Sequence, residues 1–245
     1  MRQVMSRQKF KWLLYSVLLL VFSFCSFSYA AVYNVGPEQE YSAIGDVPWE
    51  SLAPGDSVYI HWRSTAYREK WVIGRSGTPS APILISGVKG PNGELPVISG
   101  ENATTRLALD YTNEVRGLIK IGSSNVPEDS VPAYIIIENL DLRSARPPYI
   151  FTNDRGQQET YSSNAASLYV EKGQHLTIRN CSLRDSGNGL FIGAYGGVTS
   201  DILIEGNRIF DNGIEGSYYQ HNTYTAAIAL TYQYNYMGAL RSGCG

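Results

Sequence analysis

Asp185 and Asp211 stand 26 residues apart, in the triplets Asp185-Ser186-Gly187 and Asp211-Asn212-Gly213. Two carboxylates recurring on one face could hold Ca2+, a hard cation that takes oxygen ligands, or act as the acid pair of a hydrolase. The same triplets also read as plain turns, which select Asp and Gly. His221 sits in the most unusual stretch of the chain, Tyr218-Tyr219-Gln220-His221-Asn222-Thr223-Tyr224. Its imidazole could serve as a general acid or base, or simply anchor a loop. Tyr218, Tyr219 and Tyr224 are aromatic platforms suited to the faces of sugar rings. Arg241 reads as a base, a carboxylate clamp or a surface charge. Arg143, Arg146 and Lys172 flank the segment from Ser144 to Asn164, where they either line a groove wall or are solvated loop charges.

The elements that must position these residues are repeats. Ile135 to Leu142, Leu176 to Leu183 and Ile202 to Ile209 share one pattern, and Leu230 to Met237 is a degenerate fourth copy. Taking Ile137, Ile178, Ile204 and Tyr232 as zero, apolar residues recur at −2, 0 and +5. The copies follow one another at 41, 26 and 28 residues, unequal but similar periods that suit a solenoid with loop insertions. Asp185 and Asp211 both fall at +7, which predicts that they stack on adjacent coils. Asn139 and Asn180 occupy +2, while Asn207 and Asn235 occupy +3. Asparagine tolerates left-handed backbone and can hydrogen-bond along a stack. A second short strand precedes each copy, predicted at Leu118–Ile121, Leu168–Val170, Leu190–Ile192 and Ala227–Leu230. Helical signals are nearly absent after residue 30. Short β-branched and aromatic runs, punctuated by Gly, Asn, Asp and Pro, predict an all-β domain over residues 31–245.

Residues 1–30 read differently. Arg2, Arg7, Lys9 and Lys11 precede an apolar run from Trp12 to Phe27, and Ser28-Tyr29-Ala30 stands before Ala31. That order predicts a secretory signal cleaved after Ala30, hence an extracellular or periplasmic protein. The run is too short and too rich in serine to favour a spanning helix. The signal takes four basic and no acidic residues with it, leaving 16 basic against 22 acidic, a net of −6. A basic footprint for nucleic acid is therefore absent. An acidic sugar polymer stays open, because a local Arg/Lys cluster or a bound cation can make a positive groove. Cys181 and Cys244 are the only cysteines of the mature chain, too few for a disulfide framework.

The repeats, with Ser51-Leu52-Ala53-Pro54-Gly55-Asp56-Ser57-Val58-Tyr59-Ile60 and the pair Ile83-Leu84-Ile85 and Pro96-Val97-Ile98-Ser99-Gly100, resemble the right-handed parallel β-helix, or pectin-lyase-like, superfamily. The resemblance covers roughly residues 32–241 by the same repeat reading. It implies a solenoid with the segment around Tyr41 to Leu52 as an N-terminal cap. Relatives continue for several more coils, so the end at Gly245 implies a solenoid incomplete at its C-terminus. The segment from His221 to Tyr224 is similar to a His-Asn-x-Tyr turn of bacterial β-helix proteins. The resemblance implies action on acidic polysaccharide, of lyase type: β-elimination with Ca2+ or a basic side chain at the uronate. On that reading His221 and Arg241 are catalytic, Tyr218, Tyr219, Tyr224, Arg143 and Lys172 bind substrate, and Asp185 and Asp211 hold Ca2+. The expected partner is polysaccharide, with no nucleic acid and no membrane after signal cleavage, and the protein a monomer. A non-catalytic glycan-binding module and an inactive fragment are the alternatives.

Overall fold

The computed structural model describes residues 30–243. The expected signal segment lies outside the described residues, as does Cys244 and with it any pairing to Cys181. Three parallel sheets wind along one axis. A seven-stranded sheet runs Val32–Val35, Ser57–His61, Ile83–Val88, Ala133–Glu138, Gln174–Arg179, Ser200–Glu205 and Ile228–Gln233. A five-stranded sheet stacks Val97–Ser99, Asp141–Arg143, Ser182–Arg184, Arg208–Phe210 and Tyr236–Met237. The third has eight strands, of which Glu69–Ile73, Gly117–Ile121, Ala166–Val170, Asn188–Ile192 and Thr223–Thr225 form the continuous stack. Each coil contributes one strand to each sheet, and parallel crossovers of this kind are right-handed. The fold is a right-handed parallel β-helix.

The register coincides with the sequence repeat. Ile135, Leu176, Ile202 and Leu230 are partners in successive coils, as are Ile137, Ile178, Ile204 and Tyr232. Leu142, Leu183, Ile209 and Met237 stack in the five-stranded sheet. The alternation of a strand points these side chains inward, and all but those of the last coil are buried. In the last coil Leu230 and Tyr232 are half-buried and Met237 is exposed. One expected strand is corrected. The fourth partner of Leu168 and Leu190 is Thr223, in Thr223–Thr225, and not the Ala227–Leu230 segment. β-Branched threonines form the strand where the apolar pattern pointed four residues downstream.

The turns follow a second periodicity. Positions −3, +2 and +7 all take positive φ: Tyr134, His175, Asp201 and Ala229; Asn139, Asn180, Gly206 and Tyr234; and Ser144, Asp185 and Asp211. Asn, Asp and Gly reach this left-handed region most readily, which explains the Asn and Asp of the repeats. Next to the +2 corner Asn207 is fully buried. Its Nδ2 donates to Ile178 O at 2.8 Å and to Asn235 Oδ1 at 3.0 Å, while its Oδ1 accepts from Cys181 N at 2.9 Å.

The N-terminal end is closed as expected. Trp49 stacks on Trp71 with ring centroids 4.8 Å apart, and Ile44, Val47 and Leu52 are buried beside it. Gly55 supplies a positive φ, and the Asp56 carboxylate accepts from Ala31 N and Ala53 N at 2.7 and 2.9 Å. The segment between the first two copies is more than a loop. Ile150–Thr152 and Gln158–Thr160 form an antiparallel hairpin that extends the eight-stranded sheet through Phe151 and Ala103.

Candidate functional site

The outer face of the eight-stranded sheet carries an in-register row: Val72, Lys120, Tyr169, Phe191 and Tyr224. The inward neighbours Ile119, Ile121, Leu168, Val170, Leu190 and Ile192 fix this parity. Phe191 and Tyr224 stack at 5.2 Å with planes 4° apart, and Tyr169 lies 4.9 Å from Phe191. The rings stack along the axis, so one face of Tyr224 is covered by Phe191 and the row turns mostly edges outward.

Beside this row, at the ends of the Gly117–Ile121 and Ala166–Val170 strands, lies a cleft of about 380 Å³. Its walls include Ser123, Asn125, Asp129, Glu171, Lys172 and Tyr195. Two ion pairs organise it. Lys120 Nζ meets Glu171 Oε2 at 2.8 Å, and Lys172 Nζ meets Asp129 Oδ1 at 3.1 Å. Asp129 Oδ2 is buried with no hydrogen-bond partner among the described residues. Burial works against the Glu171 carboxylate, yet the bonds and charge of Lys120, with Asn113 and Ser123, hold its pKa below the ordinary value. Burial pushes Lys120 down, and Glu171 opposes this in part. Lys172 also faces the half-exposed ring of Tyr195 at 5.3 Å.

A second charged cluster gathers around Asp185. As expected from the repeat, Asp185 and Asp211 stack, with Asp185 N donating to Asp211 O at 3.1 Å. Hydroxyl and guanidinium groups surround the Asp185 carboxylate of this stack. Asp185 accepts from Ser144 Oγ at 2.8 Å, Arg146 Nε at 2.9 Å, Tyr149 Oη at 3.2 Å and Arg241 Nη2 at 2.5 Å. Burial would raise its pKa, but Ser144, Arg146 and Arg241 hold it below the ordinary value. Two guanidinium groups occupy the carboxylate edge a cation would need, and among the described residues no group of three or more acidic, His or Cys side chains is gathered for a metal. Arg241 also bonds Asp211 O and Gly213 O, so it clamps its own chain.

The remaining expected residues are scattered. His221 is exposed; its backbone N donates to Asn188 Oδ1 at 2.8 Å, and its ring lies 6.2 Å from that of Tyr224. Tyr218 and Tyr219 are largely exposed. Arg143 stands on the five-stranded sheet beside Arg184, on a different face. Of the expected binding residues, Tyr224 joins the aromatic row and Lys172 joins the cleft. Asp129, Glu171 and Tyr195 escaped the sequence reading. Tyr169 and Phe191 could have been found, since each sits between two inward residues of the preceding strands.

No protein-family model matches the chain, and no curated protein is similar enough to match. The solved structures similar to the chain include two pectin methylesterases. One is a pectin methylesterase from Aspergillus niger, with 15% identity over 89% of this chain and 69% of that one and a TM-score of 0.41. The other is the pectin methylesterase PemA from Erwinia chrysanthemi, with 15% identity over 82% of this chain and 61% of that one and a TM-score of 0.37. Likeness at this level says nothing of chemistry. The fold rests on the strand register.

Proposed function

We propose that the protein is secreted and binds an acidic polysaccharide on the outer face of the eight-stranded sheet, seating a sugar in the cleft beside Lys172. One observation carries the reading: a single open cleft joins hydroxyl, amide, carboxylate and ammonium groups to an exposed ring, Tyr195. Hydroxyls of a sugar need the first four, and its apolar face suits the fifth.

The finer proposal is β-elimination at a uronate. Lys172 would neutralise the uronate carboxylate and so acidify the C5 proton. Asp129 would take that proton on Oδ1, the oxygen freed as Lys172 turns from it to the uronate. The C5–H electrons would form the C4–C5 double bond as the C4–O bond breaks, and the Tyr195 hydroxyl would protonate the leaving oxygen. Water would then return the proton from Asp129 to Tyr195. A non-catalytic module is the second reading, favoured by the internal pairing of Lys120 with Glu171 and of Lys172 with Asp129.

Ultraviolet absorbance of unsaturated product, on pectate, alginate and chondroitin sulfate, separates the two. A lyase gives a rise on one polymer, and Asp129→Asn is expected to slow it by about 10²-fold or more. Binding without absorbance, from folded protein, would establish the module and end the lyase reading.

A further inference from the structure

We infer that the protein grips its polysaccharide by a chain end, because the chain straps its own groove shut on the N-terminal side. This deepens the binding reading above and rests on it.

Exposure along the outer row is graded. Val72 and Lys120 are 0% and 1% exposed, Tyr169 5%, Phe191 intermediate and Tyr224 52%. Residues 110–116 cause this gradient. Asp110 and Tyr111 pair antiparallel with Val126 and Ser124, and Thr112 N donates to Ser123 O at 3.2 Å. Thr112 is thereby held at the C-terminal end of the Gly117–Ile121 strand. Gly117 begins that strand, so residues 113–116 must run back over its outer face. Two outward ammonium groups pin them there: Lys120 Nζ donates to Thr112 O, and Lys70 Nζ to Glu114 O at 2.7 Å. Both lysines are buried, Lys70 also against the rings of Phe151 and Tyr161 at 3.4 and 5.1 Å.

The rim of the strap that faces the open coils carries binding chemistry. Asn113 Nδ2 reaches Glu171 Oε2 at 3.3 Å. The Arg116 guanidinium lies 5.0 and 5.1 Å from the ring centroids of Tyr169 and Phe191, and its Nε is buried without a hydrogen-bond partner among the described residues. A polymer lying over Phe191 and Tyr224 therefore meets residues 113–116 and stops. Its last sugar lies between Arg116 and the cleft at Glu171. The ligand class is the terminal residue of an acidic glycan, with a carboxylate or hydroxyl on Arg116.

The test is a calorimetric titration with polygalacturonate, alginate and chondroitin sulfate fractions of increasing chain length. End recognition predicts one protein per chain at every length, with Kd constant when expressed per chain. Arg116→Gln is expected to weaken binding by about tenfold, with Arg116→Lys partly restoring it. Several proteins per long chain, with Kd constant per sugar residue, would overturn end recognition and leave polysaccharide binding standing. Folded protein that binds none of the three would overturn both.

Discussion

Asn207→Ala is expected to lower the unfolding free energy by about 2–6 kcal/mol, measured by denaturant unfolding. The side chain satisfies two buried backbone groups from the preceding coil, the Cys181 N–H and the Ile178 carbonyl. Alanine orphans both, at about 1–3 kcal/mol each. Neither group has an alternative partner in reach of water, since Asn207 and Cys181 are buried. Asn180→Gly makes the control. Asn180 has a φ of 54°, a conformation glycine adopts without strain, so that variant should differ little from the parent. A loss below about 1 kcal/mol for Asn207→Ala would show that the coils do not depend on this corner.

The strap predicts a second effect on stability. Lys70 is fully buried, with Nζ 3.4 Å from the Phe151 ring centroid and 3.9 Å from Glu114 Oε1. Burial brings the pKa of its ammonium down from 10.5 to about 7, with Glu114 opposing, while burial raises that of the Glu114 carboxyl. Glu114→Gln removes the opposing charge but keeps the bond to the Glu114 carbonyl, and a Lys70 with a pKa of about 7 can shed its proton, so the electrostatic loss at pH 6 is expected to stay at about 1.4 kcal/mol. The double variant Lys70→Met, Glu114→Gln should recover much of that loss, a coupling that a double-mutant cycle reads directly. The pH dependence has a defined sign. Between about pH 7 and 10.5 the unfolded chain holds a proton that the folded Lys70 has released. Stability therefore rises with pH across that window and is lost as pH falls through it. Burial lowers Lys120 as well, so Lys70→Met should lessen the rise without abolishing it. A rise unchanged in Lys70→Met would place its origin elsewhere.

The seven- and five-stranded sheets were legible because each coil repeats one local pattern. Ile178, Ile204 and Tyr232 could be aligned by eye, and the structure pairs them in that register. The stack of Asp185 on Asp211 was legible for the same reason. Its chemistry was not, because Arg146 and Arg241 reach it from 39 and 56 residues away, separations at which no local pattern operates. The cleft was equally hidden. Asp129 and Lys172 come from the turns of two successive coils, and only the stacking of the Gly117–Ile121 and Ala166–Val170 strands brings them together. The strap left no periodic trace, since residues 106–116 belong to an insertion and not to the repeat.

Hydrogen–deuterium exchange with and without a bound acidic polymer tests the polysaccharide groove most directly. Polygalacturonate, alginate or chondroitin sulfate serves as the probe, whichever binds. Slowed exchange in residues 112–116, in residues 123–129 and around Tyr195 is the predicted result, because these segments wall the cleft and carry the rim at Arg116. Protection confined to the five-stranded face around Arg143, or to Tyr218 and Tyr219, would contradict it and move the site to another face of the solenoid.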